Sequence, residues 1–264
     1  MPEKLITLTT DFGLKDPYVA EMKGTILSIC PEVSIVDITH EIAKFNIRMG
    51  AYVLASAASY FPKGTIHVAV VDPGVGTLRR PILIQTQSGF FVGPDNGLLI
   101  LAAENQGITC IQEITNPDFM LPRVSSTFHG RDLFAPVAAH LAKSVPASEF
   151  GPQIRDAMKP DFTKVAVRKN VLVGEVLHVD DFGNIITNIS EKEAVLLGSV
   201  GAISVELSGQ RLSLKFCKAY GEVKPKEPLI LLGSRNYLEI AVNQGNAARK
   251  FKARPEKRVK LSLA

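Results

Sequence analysis

The sequence predicts an N-terminal α/β domain with a mostly parallel sheet, followed by a smaller C-terminal all-β, barrel-like domain. Three observations carry that expectation. In the first half, β-branched runs alternate with stretches of helical spacing, the pattern of βαβ units. After about Gly151 the runs shorten and follow one another through turns, as in a sandwich or barrel. Between the halves, residues 152–169 hold two prolines, several charges and no periodicity. The expected organisation is an α/β domain at 1–151, a linker at 152–169, a β domain at 170–252 and a basic tail at 253–264.

Taken in order, residues 5–10 read as a strand, 17–30 as a helix, 33–38 as a second strand and the Ala-rich 47–60 as a second helix. Residues 65–71 form an unbroken apolar run, the signature of a strand covered on both faces. Residues 81–86 and 89–93 read as a pair of short strands, 97–105 as a helix, 108–114 as a strand and 131–143 as a helix. In the second half, strands are expected at 171–179, 185–189, 202–207, 212–216, 229–232 and 237–242, with 191–197 as the one helix.

Composition narrows the function classes. A chain of 264 residues with 46% hydrophobic and 21% charged residues is typical of a globular protein. No apolar stretch approaches the ~20 residues that cross a bilayer. The N-terminus enters a strand pattern without the regions of a signal peptide, so a cytoplasmic location and no membrane partner are expected. Cys30, Cys110 and Cys217 are isolated, which points to buried structural thiols rather than a zinc or disulfide framework. The net charge of +4 comes from the last sixteen residues, with seven Lys/Arg and one Glu. The remainder is mildly acidic, so no nucleic-acid partner is expected.

The candidate chemistry sits at strand ends. Asp72 closes the run 65–71 and opens the turn DPGVGTLRR at 72–80, which brings a carboxylate and a guanidinium together. The ends of parallel strands are where open α/β sheets build ligand sites; a structural turn with a solvated Arg pair is the plainer reading. A second segment, STFHGRD at 126–132, adds His129 beside Gly130. Asp11, in TTDFG after the first strand, lies at the same sheet edge as Asp72 if both strands are parallel. It could accept hydrogen bonds from a vicinal diol or cap the helix that follows. Asn96, in PDNGLL, reads as a turn residue. DDFGN at 180–184 and GSRNY at 233–237 fall between strands and set polar side chains next to an aromatic ring.

Together TTDFG, VDPGVGTxRR, PDNGLL, STFHGRD, DxFGNxxTN and GSRNYLEIAVNQGNA, in this order over residues 5–248, resemble the adenosine-forming S-adenosylmethionine hydrolases, or SAM hydroxide adenosyltransferases, related to fluorinase and chlorinase. The resemblance implies a trimer with S-adenosylmethionine sites at subunit interfaces, the molecule being substrate and no cofactor or metal being used. By position it implies an Asp72–Arg79–His129 catalytic triad, with the choice of Arg79 over Arg80 resting on register. It puts Asp11 on the ribose hydroxyls, Phe45 near the sugar and Asp180 on the methionine ammonium. Ser234 and Arg235 would take the methionine end, and Asn184, Tyr220 and the backbone from Asn243 to Ala247 would contact adenine. Where fluorinase has Tyr and Tyr-Ser, this chain has Asp72 and His129-Gly130, so hydroxide rather than halide is the expected nucleophile.

A sulfonium leaves as a neutral thioether and needs no general acid. The demand is on in-line geometry and on activating water, which falls to Asp72 or His129. A cation beside a carboxylate makes it a weaker base, so Arg79 is expected to fix geometry. Three other readings compete. They are halogenation on the same scaffold, a metal-dependent phosphoesterase using Asp11, His40, Asp72, His129 and Asp132, and a non-catalytic adenosine or S-adenosylmethionine sensor.

Overall fold

The computed structural model describes residues 4–169, 171–197 and 201–263; positions 1–3, 170 and 264 at the edges of the expected domains lie outside them. The chain divides into two compact units between Pro160 and Asp161.

The first unit contains β1 (Leu5–Thr10), α1 (Tyr18–Ile29), β2 (Ser34–Thr39), α2 (Ile47–Ala58), β3 (Thr65–Val70), β4 (Pro81–Thr86), β5 (Gly89–Pro94), α3 (Ile100–Asn105), β6 (Ile108–Glu113) and α4 (Ala135–Ala142). Its six-stranded sheet has the order β2-β1-β3-β5-β4-β6. The β2–β1, β1–β3 and β3–β5 pairs are parallel, while β4 runs antiparallel to β5 and β6. The β3 run is unbroken because the sheet is covered twice. Ile66, Val68 and Val70 pack in a cluster with Met22 and Ile26 of α1 and Val137 of α4. Ala69 and Val71 pack with Leu54 of α2 and Ala102 of α3 on the other face. His67 in the same strand is core: its Nδ1 meets Thr7 Oγ1 at 2.8 Å, its ring stacks on Phe91, and burial lowers its pKa to about 4.

Register places the functional turns. Thr10 pairs with Val70 in parallel, so Asp11 and Asp72 leave neighbouring strands at one edge. Asn96 Nδ2 donates to the Val71 carbonyl at 2.9 Å and its Oδ1 accepts from Leu98 N, so it is a turn residue that fixes the backbone before Asp72. The expected linker belongs partly to this unit. Arg80 bonds Asp95 Oδ2 through Nε and Nη2 and Asp156 Oδ1 through Nη1, while Asp95 Oδ1 accepts from Met158 N at 2.7 Å. Ile154 N donates to Ile111 O at 2.8 Å. Charge density at 152–160 reads as a solvated linker when those partners, distant in sequence, are out of view. Arg80→Ala is expected to raise amide hydrogen exchange at Met158 and its neighbours with little change in β1 or β3.

The second unit contains β7 (Ala166–Arg168), β8 (Val171–Val179), β9 (Ile185–Ser190), α5 (Glu191–Ala194), β10 (Ala202–Leu207), β11 (Gln210–Cys217), β12 (Pro228–Leu232), β13 (Tyr237–Val242), α6 (Ala247–Phe251) and β14 (Arg258–Leu263). The strand order β14-β10-β11-β12-β13-β9-β8 closes on itself through β14–β8, giving a seven-stranded barrel with β7 along β8. The pairs are antiparallel except β11–β12, whose parallel crossover carries Tyr220. The expected basic tail is the closing strand. Val259 and Leu261 are fully buried in the barrel core, while Arg258 and Lys260 alternate outward. Each buried side chain contributes roughly 1.5–3 kcal/mol, and the charges between them obscured the period-two pattern. Of the three thiols only Cys217 is buried; Cys30 and Cys110 are half-buried.

Candidate active site

A cleft of about 510 Å³ opens at the C-terminal edge of the parallel strands, lined among others by Asp11, Phe45, Asp72, Phe128, His129 and Gly130. The turn after β3 and the loop before α4 meet there through one guanidinium. Arg79 Nε donates to Asp72 Oδ1 at 3.0 Å and its Nη2 donates to Asp72 Oδ2, a two-pronged ion pair with side chains only 9% and 5% exposed. The same Nη2 lies 2.9 Å from His129 Nδ1. Arg79 Nη1 is buried without a hydrogen-bond partner among the described residues, and the guanidinium stands 5.4 Å over the Phe134 ring. Arg80 serves the clamp on residues 152–160, which separates the two adjacent arginines by role.

This bridge assigns the histidine tautomer. A guanidinium only donates, so Nδ1 must accept, and a neutral His129 carries its proton on Nε2. The neutral form is favoured. Burial pushes the pKa of His129 below 6.5 and the Arg79 charge pushes it further, against opposite pulls from Asp72 and Asp132.

Arg131, which sequence reasoning left without a site role, and Asp132, weighed there only as a metal ligand, hold the His129 loop. Asp132 is fully buried, and its Oδ2 accepts from Ser125 N at 2.8 Å. Arg131 Nε donates to Asp132 Oδ1 at 2.6 Å and its Nη1 to Glu21 at 2.7 Å. Residues 130–134 form a single π-helical turn ahead of α4; such turns recur at functional sites. Pro136 has no N–H for the Asp132 carbonyl, and Leu121 N fills that place at 2.9 Å. A Cβ on Gly130 would lie 3.1 Å from the Phe128 ring, 3.2 Å from Met22 Sδ and 3.4 Å from Phe12. The aromatic wall of Phe12, Tyr18 and Phe128, stacked edge to face, therefore closes on the bare backbone.

Asp11 is not a helix cap: α1 begins after Pro17 with no side-chain cap. Its Oδ2 accepts from Phe45 N at 2.8 Å, which holds Phe45 in the left-handed region at φ 63°, with the residue 69% exposed. The turn carrying Asp11 is braced by His40. The His40 Nδ1 is 2.8 Å from Thr10 Oγ1, its carbonyl accepts from Gly13 N at 2.8 Å, and its Nε2 lies 3.0 Å from Asp37 Oδ1. His40 and Asp132 are thus both committed to structural partners. Among the described residues no three His, Cys, Asp or Glu side chains are grouped to hold a metal ion, so the five-ligand phosphoesterase site does not assemble.

The remaining expected residues lie in the second unit. Asp180 accepts from Asn184 N at 2.8 Å and from Asn184 Nδ2 at 2.9 Å, closing the β8–β9 turn. Ala248 N donates to Gly183 O at 2.9 Å, which brings the buried Ala247 beside that turn. Asn243 Nδ2 donates to Val223 O at 2.7 Å and is thereby tied to the crossover. Ser234 and Arg235 are exposed on the β12–β13 turn. Tyr220 OH donates to Glu239 Oε1 at 2.5 Å, and Glu239, another residue unassigned from sequence, is only 8% exposed.

Two family models cover most of the chain: the SAM hydroxide adenosyltransferase N-terminal domain matches residues 6–151 and the C-terminal domain matches residues 174–260. The chain belongs to the SAM hydroxide adenosyltransferase family. The family's two domains fall on the α/β unit and the barrel. A relative from Methanocaldococcus jannaschii named (R)-S-adenosyl-L-methionine hydrolase is 41% identical over 93% of this chain and 90% of its own length. A relative of the same name from Salinispora tropica is 38% identical over 99% and 98%. A fluorinase from an Actinoplanes species is 28% identical over 90% and 91%. Among solved structures, an uncharacterised conserved protein from Thermotoga maritima superposes with a TM-score of 0.90 at 38% identity, covering 97% of this chain and 99% of that one. Among the described residues no helix is long and apolar enough to cross a membrane.

Proposed function

We propose that this enzyme hydrolyses S-adenosyl-L-methionine to adenosine and L-methionine by in-line attack of water on ribose C5′. The observation that carries the reading is the Arg79 bridge between Asp72 and His129 in a cleft of a chain 38–41% identical to named hydrolases of that substrate. The water oxygen forms a bond to C5′, the C5′–S pair returns to sulfur as a neutral thioether, and one proton is released. His129, with Nδ1 held by Arg79, offers Nε2–H as a donor to the attacking oxygen. Asp72 is then the group that accepts the proton, since its two oxygens keep lone pairs beyond those used by Arg79. No general acid is called for, because the leaving group departs as a neutral thioether, and S-adenosyl-L-methionine is read as substrate with no cofactor or metal.

Asp11 is assigned to the ribose hydroxyls and Phe45 to the sugar's edge. In the barrel, Asp180 is assigned to the ammonium, Ser234 and Arg235 to the methionine end, and Asn184, Tyr220, Asn243 and Ala247 to adenine. A cytoplasmic homotrimer with sites at subunit interfaces is the matching assembly. Exposed apolar side chains beside the bridge support it: Leu78 is 102% exposed and Phe45 69%. Gly130 weighs against halogenation, since its backbone offers no hydroxyl to a halide and the wall around it leaves little space for one.

Turnover in isotopically labelled water is the direct test. Label in the 5′-hydroxyl of adenosine is expected; label in methionine alone would overturn the reading. The pH dependence follows from His129. Its pKa is below 6.5 in the folded protein, so kcat is expected to hold level through neutral pH. It then falls as pH drops through that lowered value, where protonation at Nδ1 opposes the Arg79 bond. A plateau continuing well below that range would show that the tautomer plays no part.

A further inference from the structure

Thr10, His40 and Asp37 stand in the order hydroxyl, imidazole, carboxylate at the ends of β1 and β2, and the reaction as described uses none of them. The two strands are parallel, and their pairing skips Ile38: Leu8 faces Asp37 and Thr9 faces Thr39. An extra residue of that kind re-aims the side chains beyond it, and His40 comes back over Asp37, three positions earlier. His40 Nε2 lies 3.0 Å from Asp37 Oδ1, off the line of a straight hydrogen bond, while Lys23 Nζ donates to Asp37 Oδ2 at 2.6 Å. A bare lone pair on Nε2 would be repelled by that carboxylate, so Nε2 carries a proton. In the neutral ring Nδ1 is then an acceptor, and the Thr10 hydroxyl, 2.8 Å away, is its donor. Thr10 Oγ1 in turn accepts from Phe12 N at 3.2 Å, and the His40 carbonyl accepts from Gly13 N at 2.8 Å. Both backbone N–H groups that follow Asp11 are thereby tied to one residue. His40 is 4% exposed and Thr10 fully buried. No substrate reaches this hydroxyl, so the three groups serve geometry and not nucleophilic attack.

We infer that His40 is a positioning residue for sugar recognition: through Thr10 it sets the turn that aims Asp11 at the vicinal hydroxyls of the ribose. The inference rests on the assignment of Asp11 to those hydroxyls. Asp11 lines the cleft, and residues 42–45 grip it from the other side. Ile42 N donates to Thr10 O at 3.4 Å, Lys44 Nζ to Asp11 O, and Phe45 N to Asp11 Oδ2 at 2.8 Å. None of these three bonds reaches Phe12 or Gly13, whose N–H groups depend on Thr10 and His40. A carboxylate that accepts from two adjacent hydroxyls must meet both at hydrogen-bonding angles. A small rotation of the turn therefore loses one hydroxyl and leaves the rest of the substrate in place. The consequence is selective: it weakens a substrate with both hydroxyls and spares one that has a single hydroxyl.

The test compares kcat/KM for S-adenosyl-L-methionine with that for its 2′-deoxy analogue in wild type, His40→Gln, His40→Asn and Thr10→Val. Gln reaches toward Asp37 but offers no acceptor where Nδ1 stood, whereas Asn can place its oxygen there. Val keeps the outline of Thr10 without the hydroxyl. His40→Gln and Thr10→Val are expected to cut the preference for the ribose substrate at least about tenfold, the size of one hydrogen bond to a charged group. The loss should appear in KM more than in kcat, since a bond to the sugar hydroxyls is kept from ground state to transition state. His40→Asn is expected to recover most of the preference. An unchanged preference in either of the first two variants, or an Asn variant no better than Gln, would overturn the inference. A merely structural role would depress both substrates alike and would overturn it as well. Melting curves check folding, and Thr10→Val decides the matter if His40→Gln does not fold. Asp11→Ala separates the two levels: a wild-type preference there would sink the assignment of Asp11 to the ribose, and the inference with it. A lost preference in Asp11→Ala beside an unchanged one in the His40 and Thr10 variants would remove the inference alone.

Discussion

His129→Ala is expected to lower kcat by about 10²–10⁴, the usual range for a positioned proton-handling group, while binding of S-adenosyl-L-methionine stays measurable by calorimetry. Among the described residues the imidazole's hydrogen bond is the one from Arg79 Nη2 to Nδ1. Its loss leaves the Asp72–Arg79 pair intact. Asp72→Ala is expected to abolish turnover as well, but with a second consequence. It strands a guanidinium that is 9% exposed, and breaking a buried pair from one side costs about 3–5 kcal/mol. The two variants should therefore be nearly alike in kcat and clearly different in melting temperature. Wild-type turnover by His129→Ala would remove the imidazole from the reaction.

Gly76→Ala is expected to lower kcat about 10²-fold, the effect of roughly a 1 Å misplacement of reacting groups, although Gly76 carries no chemistry. It has φ +76°, and an added Cβ would run into the Ser126 carbonyl. Gly76 lies in the turn between Asp72 and Arg79, and Ser126 lies in the loop ahead of His129, so this backbone contact sets the spacing that Arg79 spans. Gly64→Ala is the control. Its φ is +87°, but nothing lies within 4 Å of the added atom, so it should cost stability of about 1–3 kcal/mol with kcat unchanged. Equal kcat in Gly76→Ala and wild type would mean the loops are not held together there.

Most of the fold was legible. The burial of β3 on two faces left an unbroken apolar run, and the helices showed at their periods within a few residues. The candidate bridge was legible only as parts. Asp72, Arg79 and His129 could be named from two turns, yet the neighbouring arginines could not be told apart by pattern. Arg79 turns to Asp72 and His129 and Arg80 to Asp95 and Asp156, and His129 and Asp156 are distant in sequence from them. The reading of residues 253–264 as a tail failed for a related reason. Val259 and Leu261 alternate with Arg258 and Lys260, and the charge outweighed the alternation until β8 and β10 supplied a surface to bury against.

The sequence by itself determined the two-part architecture, the strand-end positions of the candidate side chains and the family, because those depend on local periodicity and on which residues stand at turns. Only the tertiary structure decided that Arg79 joins Asp72 to His129 and so fixes the ring proton on Nε2, that Asp11 serves Phe45 instead of a helix, and that Glu239 commits the Tyr220 proton. Each of these is a hydrogen bond between residues many positions apart. Its existence depends on distances that chain spacing does not encode.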